Sequence, residues 1–200
     1  MTQYSLFGAA AAAPTLDDLD GLLLAGGQWV RSADSARLSV VVADRWRADA
    51  LAAHFAELAV DGPDPVVPAE AGLGVRTGFC AALFPLAQRW TRGAGQRLPT
   101  GFQLRAGGLR AWAIAAGHTD EGGYLLATSS DDDPIHQAAG AQLARLGVAA
   151  ISIGRRGGPG WRVTSTRRLR RLVELLGPPP SPAADWPTVA GSGGRPLAAG

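Results

Sequence analysis

The sequence has no lysine; all nineteen of its basic residues are arginine. Its single cysteine, Cys80, excludes an internal disulfide framework and leaves no cysteine cluster for zinc. The three histidines, His54, His118 and His136, form no His-x-x-x-His pair, so no histidine metal site is expected. No apolar run reaches the ~18–20 residues that a bilayer span needs, so no membrane association is expected. Met1 to Leu16 lacks the basic stretch that opens a secretion signal. Together with the free thiol, this leads us to expect a cytoplasmic protein.

What is present is a chain of 200 residues, 46% apolar and 18% charged, enough for one sizeable domain or two small halves sharing a core. Charge is uneven. Residues 1–100 carry eight arginines against ten acids, and residues 101–200 carry eleven against seven. Between Pro134 and Val173 there are eight arginines and no acid, a pattern that attracts an anionic polymer. Residues 1–13 read as a flexible N-terminal peptide. From Gly177-Pro-Pro-Pro onward the composition turns to Pro, Gly, Ala and Ser, and residues 178–200 read as a disordered tail. The folded part spans 14–177.

Within it, helix and strand signals alternate. Thr15-Leu-Asp-Asp18 opens a helix with Leu16, Leu19, Leu22 and Leu23 at helical spacing, ending near Gly26-Gly27. Gln28–Arg31 and Arg37–Ala43 read as a hairpin. Asp44 caps a helix over 45–58, a Pro/Gly-rich stretch covers 61–72, a strand follows at 73–77, and a helix spans 79–90. The order then recurs: a helix over 109–117, a strand within 122–129, a helix ending at Leu146, strands at 149–153 and 161–164, and a helix over 167–176 closed by Gly177. Asp44 to Val60 matches Asp132 to Val148, and Val75 matches Val163 at the same offset of 88 residues. The pattern is a duplicated αββαββα unit with pseudo-repeats at about 14–92 and 105–177.

The first helix carries Leu19-Asp-Gly-Leu-Leu-Leu-Ala-Gly-Gly27, which resembles the LAGLIDADG motif of homing endonucleases at five of nine positions. Arg110–His118 takes the corresponding place in the second half in a weaker form. The resemblance covers 14–177 and implies an α/β (α+β) fold with pseudo-two-fold symmetry and saddle-shaped antiparallel sheets. It implies that the two motif helices cross through small residues, here Gly21, Ala25, Ala111 and Ala115. In the family each helix end delivers an acid to divalent metal ions beside the scissile phosphates. Those acids fall here on Gly26 and Gly117, so we expect no catalytic residue, no metal or other cofactor, and no enzyme activity. The chain then resembles regulatory relatives in actinobacteria that bind without cutting. The implied partner is double-stranded DNA, seated on the saddle as β-ribbons seat in a major groove. Arg31, Arg37, Arg76, Arg155, Arg156 and Arg162 are expected to line the saddle, with Arg167 and Arg168 on the last helix adding to the DNA-binding set. Because one chain supplies both halves, a monomer is expected.

Gln3-Tyr-Ser-Leu-Phe7 is similar to the pentapeptide by which bacterial replication and repair proteins bind the DNA polymerase sliding clamp. The likeness implies that Leu6 and Phe7 fill an apolar pocket of the clamp, that Gln3 and Ser5 complete the motif, and that 9–14 form a tether. The expected function is a non-catalytic DNA-binding protein recruited to the clamp in replication, repair or regulation. Two other functions compete with it. One is a Mg-dependent endonuclease with ligands relocated to Asp120 and Glu121. The other is a protein-binding adaptor without DNA contact.

Overall fold

The computed structural model describes residues 12–93, 95–129, 134–154, 156, 158–180, 183 and 185–188. Thr15 opens the first helical segment as its sequence suggests: the Asp18 carboxylate accepts the Thr15 N–H at 2.9 Å. A 3-10 turn, Leu16–Leu19, runs into α1 (Asp20–Leu24). Gly26 follows with φ +90°, and the N–H groups of Gly26 and Gly27 donate to the carbonyls of Leu23 and Leu22. This is the double bond of a Schellman ending, which needs a left-handed residue and so favours glycine.

The chain continues as β1 (Gln28–Ser32), β2 (Ser35–Val42), α2 (Arg45–Glu57), β3 (Val66–Ala69), β4 (Gly72–Arg76) and α3 (Phe84–Trp90). A small ribbon, β5 (Thr91–Arg92) with β6 (Gly95–Gln96), leads to the second half. There follow α4 (Ala106–Ala116), β7 (Gly117–Asp120), β8 (Gly123–Ala127), α5 (Pro134–Arg145), β9 (Ile151–Ile153), β10 (Gly160–Val163) and α6 (Thr166–Leu176). The strands form two four-stranded antiparallel sheets of matching order, β1-β2-β4-β3 and β7-β8-β10-β9. The expected duplicated α/β architecture is therefore present. No helix among the described residues is long and apolar enough to cross a membrane.

Three elements differ from the sequence reading. β3 lies inside the Pro/Gly-rich stretch 61–72, where the sequence predicts no strand; its Pro68 is tolerated because β3 is an edge strand, where a missing N–H costs no ladder bond. β7 begins directly at Gly117, where the sequence showed only a helix end. Trp186, in the stretch read as a disordered tail, is instead packed: it is buried, its indole N–H donates to the Gly177 carbonyl at 3.2 Å, and Arg110 stacks on its ring at 5.0 Å.

α1 and α4 cross at the middle of the core. At the crossing Gly21 of α1 packs against Gly108 of α4, a residue outside the expected set of Gly21, Ala25, Ala111 and Ala115. A methyl on Gly21 would overlap the carbonyl oxygen of Gly108. Ala115 is buried and Ala25 half-buried, while Ala111 lines a groove between α4 and α2. Beside the crossing, Asp20 is buried; it accepts the Trp90 indole N–H at 2.6 Å and lies 3.6 Å from Arg89. Burial pushes its carboxyl up to about 6, against the bond from Trp90 and the charge of Arg89. A carboxyl that holds its proton more tightly folded than unfolded favours folding below the unfolded value near 3.8. That advantage disappears as pH rises through 6. The Asp20→Asn variant keeps an oxygen for Trp90 without the buried charge. It should be more stable than the parent at pH 7 by about 3 kcal/mol, with the gap closing near pH 4. Thermal melts of both proteins from pH 4 to 7.5 check this; a constant gap would refute it.

Candidate nucleic-acid interface

Alternation along β2 places Ala36, Leu38, Val40 and Val42 in the core and Ser35, Arg37, Ser39 and Val41 on the opposite face. Register then builds the outer face of the first sheet rung by rung. Gln28, Ser39 and Arg76 form one rung; Val41, Gly74 and Val67 form the next; Val30 stands opposite Arg37 on the other side. No acid occupies an outward strand position of this sheet. The Arg37 guanidinium lies over the Phe79 ring at 4.9 Å, and its Nε has no hydrogen-bond partner among the described residues. Arg76 is held by a 3.0 Å bond from Nε to the Asp64 carbonyl. That leaves its terminal nitrogens without a partner among the described residues.

The outer face of the second sheet has a different character. Its central rung is His118, Leu125, Arg162 and Ile151. Arg162 donates to Asp120 at 2.5 Å, so its charge is already matched. Burial pushes the Asp120 carboxyl up. The bonds from Arg162 and the Gly122 N–H outweigh this and hold it below the usual carboxylate range.

The expected DNA-binding arginines are thus only partly brought together. Arg37 and Arg76 share one sheet face, and Arg162 lies on the corresponding face of the other. Arg31 does not join them: it pairs with Ala36, which turns it to the helix-facing side, where it donates to the Gly93 carbonyl at 3.1 Å. Arg156 is exposed in the turn between β9 and β10. Arg167 and Arg168 are on the solvent side of α6, opposite the buried Leu172, Leu175 and Leu176, and so belong to the helix layer. Arg155, and the clamp-motif residues Gln3, Ser5, Leu6 and Phe7, lie outside the described residues. Sequence reading missed Gln28, Ser39 and Val41; alternation in Ala36–Val42 was the signal that could have found them.

At the helix ends, neither family-acid position offers a metal ligand. Gly26 is required by the helix ending. A side chain on Gly117 would overlap the Tyr124 hydroxyl and the Ala113 carbonyl. The space beside Gly117 is occupied by a cation: Arg47, buried on α2, donates to the carbonyls of Ile114 at 2.8 Å and Gly117 at 2.7 Å. It also meets Asp44 at 2.9 Å and Asp185 at 3.2 Å. The Tyr124 hydroxyl is buried without a hydrogen-bond partner among the described residues, and burial raises its pKa. These residues do not fit a metal pair at the helix ends. Asp120, the suggested relocated ligand, is tied to Arg162 at the far end of β7.

The fold is that of the LAGLIDADG homing endonucleases. The chain is similar to the homing endonuclease I-WcaI bound to its DNA recognition sequence, with a TM-score of 0.56 and 10% identity over 80% of each chain. It is also similar, at 14% identity and a TM-score of 0.47, to I-DmoI in complex with DNA and Mn, covering 82% of this chain and 99% of that one. No protein-family model and no curated protein sequence matches the chain. The comparison corrects one expectation. The sequence leads us to expect no enzyme activity, yet I-WcaI, which shares the fold, is a homing endonuclease; the fold is found in nucleases and that expectation does not stand. Glycine at 26 and 117 does not by itself place the chain apart from them.

Proposed function

We propose that the protein binds double-stranded DNA on the outer faces of its two sheets, with Arg37 and Arg76 as the principal charged contacts. The observation that carries this reading is the acid-free outer face of the first sheet, on a fold shared with a homing endonuclease bound to its DNA recognition sequence. Arginine on such a face neutralises phosphate and releases counterions, so affinity falls with salt. One chain supplies both sheets, and the protein binds as a monomer. Fluorescence anisotropy of a labelled duplex across 50–300 mM NaCl tests this. The Arg37→Ala/Arg76→Ala double variant should weaken binding and reduce the slope of log affinity against log salt by about 2, near 0.9 for each phosphate no longer neutralised. Salt-independent binding, or an unchanged slope, would sink the proposal.

Recruitment to a sliding clamp through Gln3–Phe7 forms the second part of the reading, and it rests on the motif. A peptide ligand joined to a DNA-binding domain gains avidity when both sites engage on one DNA. Immobilised bacterial clamp should capture the full chain and fail to capture the Leu6→Ala/Phe7→Ala variant; equal capture of both would remove this part.

A second reading is that the chain cleaves the duplex it binds, which the likeness to a homing endonuclease favours. Incubation with supercoiled plasmid and Mg²⁺ or Mn²⁺ tests it. Nicked or linear product would establish cleavage.

A further inference from the structure

Among the described residues, the large hydrophobic side chains most open to solvent are Val30, Val41, Phe79 and Ile151, at 40%, 48%, 49% and 54% exposure. Three of these stand at outward strand positions of the two sheets, and the fourth, Phe79, lies under Arg37. Scattered exposed valines need no explanation, but Val30, Val41 and Phe79 are collected on the face that carries Arg37 and Arg76, and Ile151 stands on the corresponding face of the second sheet. On the first sheet they alternate with polar residues by rung. Gln28, Ser39 and Arg76 present side-chain donors and acceptors. The adjoining Val41, Gly74 and Val67 present none, and a Cβ on Gly74 would sit 3.2 Å from a Val67 methyl, so the valine lies over the glycine. On the second sheet Ile151 stands beside Arg162, whose charge Asp120 already matches.

An apolar rung cannot contact phosphate favourably or hydrogen-bond a base edge. The apolar group that a major groove offers is the C5 methyl of thymine. We propose that Val41 and Val67, with Val30 and Ile151, read pyrimidine C5 methyl groups, so that the protein prefers A·T-rich duplex with thymine methyls facing the sheet. Gln28 on the neighbouring rung has the bidentate chemistry for adenine. This inference rests on the DNA-binding reading above and adds the property of the groove that is recognised.

The test uses four duplexes of about 24 base pairs at one salt concentration: alternating A·T, the same with deoxyuridine for every thymine, alternating G·C, and the same with 5-methylcytosine. Each pair differs only by the C5 methyl, and alternation presents methyls in any register. Replacing thymine by deoxyuridine should lower affinity about fourfold for each methyl contacted, and 5-methylcytosine should raise affinity for the G·C duplex. The Val41→Ser/Val67→Ser variant, checked for folding by circular dichroism, should show a smaller difference between the members of each pair than the parent, by about fourfold for each methyl contact removed. Equal affinity of the parent for methylated and unmethylated duplexes, with salt dependence intact, overturns this inference and leaves the DNA reading standing. Failure to bind any of the four overturns both, and a protein partner becomes the better account of the apolar face.

Discussion

The Gly21→Ala substitution should destabilise the fold by about 3 kcal/mol or more, the upper range of an overpacked core, and lower Tm by roughly 6–12 °C. The added methyl meets backbone, the carbonyl of Gly108, which cannot rotate away. The reciprocal Gly108→Ala change should cost less. Its methyl would meet Leu104 Cδ1 at 3.0 Å, the far end of a flexible side chain, and would stand 3.6 Å from the Gly21 nitrogen. Calorimetry on the two variants reads the difference. If Gly108→Ala proved as damaging as Gly21→Ala, the crossing would not be limited by the carbonyl of Gly108. Altered packing here also moves one sheet relative to the other, so weakened duplex binding should accompany the loss of stability.

The Arg47→Ala variant should lose about 3–5 kcal/mol. Arg47 is nearly inaccessible and its guanidinium satisfies the carbonyl of Ile114, in the last turn of α4 where no helical partner remains, and that of Gly117 just beyond the helix. Its removal leaves those carbonyls without their donor and leaves Asp44 and Asp185 without their cation. Both acids are close to half exposed, so most of the cost falls on the buried carbonyls. Arg47→Lys should recover only part of the loss, because an ammonium cannot reproduce the planar fork that reaches Ile114, Gly117 and both acids. Urea denaturation of the three proteins checks this ranking; an alanine variant as stable as the parent would mean that water replaces the guanidinium.

Much of the architecture is legible in the sequence because helix starts, endings and strand alternation are local properties. Thr15 with Asp18, Asp44 ahead of α2, and Gly177 after α6 each mark a boundary found in the structure. The repeat is legible through near-constant offsets. The crossing is only half legible. Motif alignment pairs Gly21 with Trp112, whereas the helices touch at Gly108, because contact between crossed helices depends on axis position and angle and not on motif register. The site is legible in its residue types but less so in its membership. Arg31 and Arg37 look equivalent along the chain, yet pairing of Arg31 with Ala36 puts the two arginines on opposite faces, since one residue of register reverses every side chain. β3 escapes sequence reading because Pro68 argues against a strand unless the strand is known to be an edge.

The sequence by itself determined the order of elements, the duplication, and the glycines at 21 and 26, because these follow from spacing, chain conformation and the small volume a helix crossing demands. Only the tertiary structure decided which arginines share a face, that Arg162 is matched by Asp120, and that Arg47 fills the space beside Gly117. These depend on strand register and on residues far apart in the chain, such as Arg47 and Asp185, meeting at one helix end. No local signal records such a meeting.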